Sequence, residues 1–213
     1  LEKVREIMEV NFFGTINSIN AVYEYYKSKK SGQISIVSSV AGYRGLPAAG
    51  AYCASKSALS SFAESLYFDL KRSNVRVSLV SPGFIKTPMT DQNDFPMPMI
   101  KTPEFAAEQM FKGLTKSKGF EIHFPKSFTT IMKVLKVLPN GLYFKILEKV
   151  RKIMEVNFFG TVNSINAVYE YYKNKKSGQI SIVSSVAGYR GLPAAGAYCA
   201  SKSALSSFAA SLY

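Results

Sequence analysis

The sequence predicts an α/β protein built on a parallel sheet. Amphipathic helical patterns alternate with short β-branched strands, an order that is typical of parallel sheets with right-handed crossovers. Of the 213 residues, 47% are hydrophobic and 19% are charged, which argues against disorder and a disulfide scaffold. Residues 1–67 also recur as residues 147–213, so a helix–strand–helix unit is duplicated. The two copies differ at Glu6/Lys152, Ile16/Val162, Ser28/Asn174 and Glu64/Ala210.

The first copy is predicted to begin with a helix over 2–29, because apolar residues recur there at spacings of three and four. A short β-branched strand follows at 33–38. The Gly- and Pro-containing stretch 42–50 is predicted as a loop. An Ala- and Ser-rich pattern then predicts a second helix over 51–73.

The unique part of the chain continues the alternation. A strand is predicted at 75–80, before the Pro82-Gly83 break. The Pro- and Met-rich stretch 88–103 has the length of a lid. A helix over 103–116 and a strand at 119–124 complete this part. The first copy and the unique part together predict one α/β region, residues 1–125.

The second copy, residues 147–213, repeats the first unit. Helices are predicted over 148–175 and 197–213, with a strand at 179–184 between them.

Residues 126–146 form a basic, strongly apolar segment between the two copies, broken at Pro139-Asn140-Gly141. Three alternatives fit this composition. The segment can lie on an anionic membrane surface, which would make the protein peripheral to a membrane through 127–146. It can close a pocket over an apolar substrate, or it can dock on its own domain as a linker.

Charge and cysteine usage limit the classes of partner. The net charge of +13 comes from 27 Lys and Arg against 14 Asp and Glu, dispersed along the chain. This dispersion predicts a solvated surface and no nucleic-acid partner. Cys53 and Cys199 occupy equivalent positions in the two copies. A single thiol per copy predicts a reduced, cytoplasmic location. His123 is the only histidine and no acidic cluster accompanies it, so no metal site is predicted.

Acid–base chemistry is predicted where a strand end meets the second helix. Tyr52 and Lys56 are four positions apart, so both side chains lie on one helix face. An ammonium beside a phenol stabilises the phenolate, which predicts a lowered Tyr52 pKa. Ser39 ends the preceding strand, where open α/β sheets bind ligands. Its hydroxyl could hold a carbonyl or alcohol oxygen beside Tyr52.

Three motifs together resemble the short-chain dehydrogenase/reductase family. They read Ser-Ser-Val-Ala-Gly from Ser38, Tyr-Cys-Ala-Ser-Lys from Tyr52 and Ser-Pro-Gly-Phe-Ile-Lys-Thr from Ser81. The resemblance covers 1–125 and 147–213, and it implies that 1–125 is the catalytic half of such a domain. It implies a Rossmann-like, doubly wound parallel sheet that here lacks the first four strands. The loss of those strands implies an open edge at the apolar strand 33–38, so we expect 179–184 to pair beside it. The resemblance also implies hydride transfer between NAD or NADP and a small-molecule carbonyl or secondary alcohol.

The resemblance also assigns roles to residues of the first copy. Tyr52 matches the proton donor/acceptor, and Lys56 matches the lysine that binds the nicotinamide ribose and lowers the tyrosine pKa. Ser39 matches the serine that orients the substrate oxygen, and Asn11 matches the asparagine that supports a proton-relay water. The segment that borders the nicotinamide supplies the remaining cofactor-binding candidates, Pro82, Gly83, Ile85 and Thr87.

The second copy repeats four of these residues but has no Pro-Gly segment, which makes it the less complete site. The repeated residues are Asn157, Ser185, Tyr198 and Lys202. In the family, helices matching 2–29 and 51–73 form a dimer interface, which implies a homo-oligomer here.

The glycine-rich loop Gly-x-x-x-Gly-x-Gly, which cradles the cofactor pyrophosphate in this family, does not occur in the sequence. An alternative function is therefore a non-catalytic fragment that acts only in assembly. A further alternative is a chain that is inactive until a partner supplies the cofactor-binding half.

Overall fold

The computed structural model of the protein describes residues 1–92, 97, 99–117, 119–189 and 195–212. Part of the lid-length stretch 88–103 therefore lies outside the described residues. The chain forms two compact units, Leu1–Val137 and Leu138–Tyr213.

The first unit alternates helices and strands as the sequence predicts. Its helices are α1 (Glu2–Met8), α2 (Gly14–Lys29), α3 (Gly50–Lys71), α4 (Pro103–Lys116) and α5 (Lys126–Val137). Its strands are β1 (Gly32–Val37), β2 (Val75–Pro82) and β3 (Glu121–Phe124). A π-helical turn, Glu9–Phe13, joins α1 to α2, so the predicted helix over 2–29 is confirmed with one wide turn inside it.

The three strands form one parallel sheet in the order β1-β2-β3. Gly32 pairs with Val75 and Val37 with Val80, while Leu79 pairs with Glu121 on the other side of β2. The predicted parallel sheet is confirmed. Parallel pairing also brings the carboxyl ends of β1 and β2 to one edge, where Ser39 and the Pro82-Gly83 segment follow.

Alternation along the strands divides the core between the two sheet faces. One face packs against α2 and α3, and its fully buried members are Ile36, Leu59, Ala63 and Leu70. The other face packs against α4 through a smaller cluster, Val80, Ile122 and Phe124. Each large apolar side chain buried in this way contributes roughly 1.5–3 kcal/mol, so the larger cluster anchors α3 on the sheet.

The segment between the copies forms two helices that are separated along the chain by Leu138 and Pro139. The first is α5, whose residues Thr129 and Met132 are buried, so this part docks on the first unit. The second is α6 (Asn140–Met154), which runs past residue 147 into the repeat. None of the helices in the described ranges is long and apolar enough to cross a bilayer.

The regular secondary structure described in the second unit is all helical. After α6 come a π-helical turn (Glu155–Phe159), α7 (Gly160–Lys175) and α8 (Gly196–Ser211). The predicted helices are confirmed.

The strand predicted at 179–184 is wrong, because these residues form no strand. In the first unit β1 bonds to β2, and the repeated segment contains no sequence that corresponds to β2. A strand without a partner leaves its backbone groups unpaired, so the same residues stay irregular. The predicted pairing of 179–184 beside β1 is therefore also wrong.

Candidate active site

Ser39 lies two residues after the end of β1 and caps the start of a short 3₁₀ turn, Val40–Gly42. Its hydroxyl accepts a hydrogen bond of 3.2 Å from the amide of Ala41, and its carbonyl accepts one of 2.9 Å from the amide of Gly42. These two local bonds fix the turn at the carboxyl end of the sheet.

Ser38, the residue before Ser39, joins the end of β1 to α3. Ser38 is buried, and its hydroxyl donates to the carbonyl of Lys56 at 2.8 Å. A Cβ on Gly42 would lie 2.8 Å from the same carbonyl, so only glycine lets the turn pack this closely against α3. The end of β1 and the body of α3 are thereby held together.

Tyr52 and Lys56 share one face of α3, as their spacing predicts. The Lys56 ammonium lies 5.7 Å from the centroid of the Tyr52 ring. The ammonium also donates a hydrogen bond of 3.2 Å to the carbonyl of Val37, the last residue of β1. The Ser39 hydroxyl lies close enough to Tyr52 to lower the pKa of its phenol. The structure thus brings Ser39, Tyr52 and Lys56 together.

The predicted lowering of the Tyr52 pKa is wrong in this structure. Burial raises the pKa of Tyr52 above its ordinary value of 10.0, and the hydrogen bond with Ser39 lowers it by less. Burial also lowers the pKa of Lys56. Both shifts have one cause, since a poorly solvated site disfavours the charged form of each group. The ammonium binds the Val37 carbonyl beside the ring, and burial is the dominant cause of the raised Tyr52 pKa.

Asn11 lies in the π-helical turn between α1 and α2. Its side-chain amide donates a hydrogen bond of 3.1 Å to the hydroxyl of Ser55, which donates in turn to the carbonyl of Tyr52 at 2.8 Å. Asn11 is therefore joined to the turn of α3 that carries Tyr52. The role of Ser55 escaped the sequence reasoning, because its partner is 44 residues away.

The segment from Pro82 to Thr87 leaves the sheet beside the same edge. Gly83 bonds through its amide to the carbonyl of Phe124 at 2.8 Å, and Ile85 forms an isolated parallel bridge with Lys101. The Thr90 hydroxyl donates 2.8 Å to the Ile85 carbonyl and lies 3.2 Å from the Thr87 hydroxyl. Thr90, which the sequence reasoning missed, therefore orders this segment. The Thr-x-x-Thr spacing, typical of hydroxyl-stabilised turns, was the available signal.

The second copy reproduces the local geometry of the first. Asn157 donates to Ser201 at 3.1 Å, and Lys202 donates to the Val183 carbonyl at 3.1 Å. The Lys202 ammonium lies 5.8 Å from the Tyr198 ring centroid, and Ser185 accepts from Ala187 at 3.2 Å. Residues 147–213 correspond to 1–67 and do not extend to the Pro82–Thr87 segment, and Tyr198 is exposed.

No group of three or more metal-ligating side chains occurs among the residues that the structure describes. His123 bonds instead to the hydroxyl of Thr129 at 2.7 Å. At the sheet edge, Tyr52 supplies a phenol, Ser39 a hydroxyl and Lys56 an ammonium.

A family model for short chain dehydrogenases matches residues 1–96 and 144–213, which include both copies of these residues. The chain belongs to the short-chain dehydrogenase family. Its matched ranges cover the β1–α3 junction of the first unit and the equivalent part of the second.

Two curated relatives and one solved structure illustrate the family resemblance. An uncharacterized oxidoreductase of Myxococcus xanthus (strain DK1622) is 39% identical over 150 residues, covering 70% of this chain and 59% of the relative. A 3-ketodihydrosphingosine reductase of Bacteroides thetaiotaomicron is 37% identical over 93 residues, covering 44% and 35%. A short chain dehydrogenase of Burkholderia cenocepacia J2315, solved in complex with NADP, is 31% identical with a TM-score of 0.60. That match covers 68% of this chain and 60% of the other. The chain thus spans about three fifths of the first and third of these proteins.

Proposed function

We propose that the first unit carries the acid–base site of an NAD(P)-dependent oxidoreductase. The reaction interconverts a small-molecule carbonyl compound and the secondary alcohol. The observation that supports this most directly is the grouping of Ser39, Tyr52 and Lys56 at one sheet edge, in a member of a dehydrogenase family.

The donor set at the sheet edge fits the nicotinamide–ribose end of NAD or NADP. Lys56 offers an ammonium and Tyr52 a hydroxyl for ribose hydroxyl groups, and the Pro82–Thr87 segment offers backbone groups for a carboxamide. NADP is the cofactor in the Burkholderia structure, which makes NADPH the first cofactor to test. The bound nicotinamide would supply or accept the hydride.

The proton step is assigned to Tyr52. In the reducing direction the Tyr52 hydroxyl gives its proton to the substrate oxygen as that oxygen gains negative charge. The Ser39 hydroxyl donates a hydrogen bond to the same oxygen, and the Lys56 ammonium stabilises the phenolate that remains. A raised Tyr52 pKa keeps the phenol protonated at neutral pH, which suits proton donation.

Asn11 is assigned a supporting role in returning the proton. Its bond to Ser55 fixes the π-helical turn next to the Tyr52 turn of α3. A water held at this turn would return a proton from solvent to the phenolate. Loss of Asn11 would then slow turnover without changing which group donates the proton.

Cofactor binding is the first test. Titration with NADPH and NADH, followed by cofactor fluorescence, measures the Kd for the intact chain. Lys56→Met should weaken binding about tenfold or more, because it removes a charged hydrogen-bond donor. Lys202→Met is the matched control in the second copy and should leave the Kd within about twofold. The absence of binding at millimolar cofactor contradicts autonomous catalysis.

Turnover is the second test, using a panel of ketones and aldehydes that includes apolar ones. Tyr52→Phe should lower kcat by roughly 10²–10⁴, the usual contribution of a positioned acid. Tyr198→Phe makes the same change in the second copy and should lower kcat little. Equal losses in the two variants contradict the assignment of the site to the first unit.

A second candidate function rests on the observation that residues 1–213 contain no glycine-rich loop. Under this function residues 1–213 serve in assembly, or act only together with a cofactor-binding half. Under this function the chain alone binds no cofactor, and adding a cofactor-binding half in trans restores binding. The fluorescence titration therefore separates the two functions.

Two partner surfaces are part of the proposal. Exposed apolar side chains on helices 2–29 and 51–73, among them Val10, Phe13 and Phe68, support a homo-oligomer formed through these helices. Residues Ile131, Val134 and Val137 form an exposed apolar stripe on α5 beside Lys136, which supports peripheral membrane contact through 127–146.

A further inference from the structure

The carboxyl-terminal end of α5 is held by the residue that follows Tyr43. The Arg44 guanidinium donates hydrogen bonds of 2.7 Å to the carbonyl of Leu135 and 3.2 Å to that of Lys136. These are last-turn carbonyls, and a cation there complements the helix dipole. Arg44 therefore caps α5 from a position five residues after Ser39.

The middle of α5 is joined to the same turn through a half-buried carboxylate. The Tyr43 hydroxyl donates 2.5 Å to one oxygen of Glu121, which also accepts from Ser81 at 2.7 Å. The other oxygen of Glu121 lies 2.6 Å from the Lys133 ammonium. Lys133 and Lys136 also lie 5.9 and 5.7 Å from the Tyr43 ring centroid. Tyr43 is thus half-buried between β2, β3 and α5.

The amino-terminal end of α5 contacts the segment on the other side of the site. The Phe128 ring lies 5.4 Å from the Phe84 ring, and a Cβ on Gly83 would come within 2.8 Å of it. The Ser127 hydroxyl lies 3.6 Å from the sulfur of Met99. One helix therefore contacts both chain segments that flank the candidate site, the turn after Ser39 and the segment after Pro82.

The second copy shows what the turn does without these contacts. Its turn has the same local bonds, with Gly188 donating 2.8 Å to the Ser185 carbonyl. Tyr189, the counterpart of Tyr43, is 86% exposed, and Val186 is 81% exposed where Val40 is 4% exposed. The turn therefore folds from its own sequence. The contacts with α5 therefore affect where the turn after Ser39 lies relative to other segments of the chain.

We propose that α5 is a brace that sets the position of the Ser39 turn relative to the Pro82–Thr87 segment. Tyr43, Arg44 and Phe128 are its positioning residues. The functional consequence rests on the proposed function, because these two segments hold the substrate oxygen and the nicotinamide in the proposed reaction. The mechanical link itself does not depend on catalysis.

Hydrogen exchange of the full chain tests the link. Tyr43→Phe removes the bond to Glu121 and should speed exchange of residues 126–137 and 83–87 about tenfold, the effect of losing a hydrogen bond to a charged group. Arg44→Gln should do the same, and Arg44→Lys should restore part of the protection. Tyr189→Phe is the matched control and should change neither range. If Tyr43→Phe does not fold, Lys133→Met provides the same test.

The titration of Tyr52 distinguishes an α5 that positions the Ser39 turn from an α5 that only packs on the first unit. With ¹³Cζ-labelled tyrosine, the Tyr52 signal, assigned from Tyr52→Phe, should titrate at lower pH in Tyr43→Phe, because a loosened turn admits water. Faster exchange in 126–137 alone, with 83–87 and the Tyr52 signal unchanged, overturns the proposal. Unchanged exchange in 126–137 overturns it as well. These readouts need no turnover, so a chain that binds no cofactor would refute the proposed function and leave the brace to be decided by exchange.

Discussion

Asn11 and Ser55 are joined by a side-chain hydrogen bond of 3.1 Å that fastens the π-helical turn to α3. Ser55 is fully buried, so its hydroxyl meets protein groups and little solvent. The equivalent residues of the second copy, Asn157 and Ser201, form a bond of the same length. The same hydrogen bond thus occurs once in each unit, and its contribution to stability can be measured in each unit separately.

Asn11→Ala should destabilise the junction of the π-helical turn with α3 by about 1 kcal/mol, the usual net contribution of one hydrogen bond. Hydrogen exchange under mild urea measures the opening free energy of α3 and α8 separately. Asn157→Ala, the matched variant, should lower protection in α8 and leave α3 unchanged. If both variants affect both helices equally, the two units do not open independently and this interpretation is wrong.

Glu121 predicts an acid-side loss of stability. Burial raises its pKa, but hydrogen bonds from Lys133, Tyr43 and Ser81 outweigh burial, so the pKa lies below its ordinary value of 4.5. A carboxyl whose folded pKa is depressed stabilises the fold above its unfolded pKa. This stability is lost as pH falls through the folded pKa. Urea unfolding between pH 7 and pH 3 should therefore show stability falling from about pH 4.5 downward.

Glu121→Gln tests whether this carboxylate is responsible. The variant should be about 1–2 kcal/mol less stable at pH 7, because a charged hydrogen-bond network is lost. It should also lose less stability than the parent between pH 7 and pH 3. Glu108→Gln, whose exposed pair with Lys112 is of the kind that contributes little, should match the parent within about 0.5 kcal/mol. If Glu121→Gln loses as much stability as the parent between pH 7 and pH 3, other carboxyl groups cause the loss.

Membrane contact through 127–146 predicts co-sedimentation with vesicles that contain anionic lipid. Val134→Glu introduces a charge into the exposed stripe of α5 and should reduce the bound fraction severalfold, because a charge is poorly accommodated at the acyl boundary. Val156→Glu alters an exposed valine outside the segment and should bind like the parent. Equal binding by all three proteins, or binding to neutral vesicles alone, would remove this membrane role.

Association through helices 2–29 and 51–73 predicts an oligomer in solution. Phe68 on α3 is 70% exposed and Phe111 on α4 is 64% exposed, so they form a matched pair. Phe68→Glu should shift the mass measured by light scattering toward the monomer, because it buries a charge at the interface. Phe111→Glu should keep the parent mass. A monomeric parent, or dissociation by Phe111→Glu instead, contradicts this interface.

Much of the candidate site follows from short-range sequence rules. The spacing of Tyr52 and Lys56 places them on one helix face whatever surrounds the helix, and the structure has them there. The alternation of elements also predicts the parallel order, which places Ser39 and Pro82-Gly83 at one edge. The turn at Ser39 is equally local, since both copies form it. Such features depend on neighbours within a few residues, so the sequence contains the information directly.

Strand formation and burial depended on residues that are distant in the sequence. Identical sequences give β1 in the first unit and irregular chain at 178–183 in the second, because only the first has β2 to receive its backbone hydrogen bonds. Tyr43 is half-buried and Tyr189 is exposed for the same kind of reason. The direction of the Tyr52 pKa shift also depended on burial. Solvent exclusion is a property of the assembled unit, which local spacing does not encode.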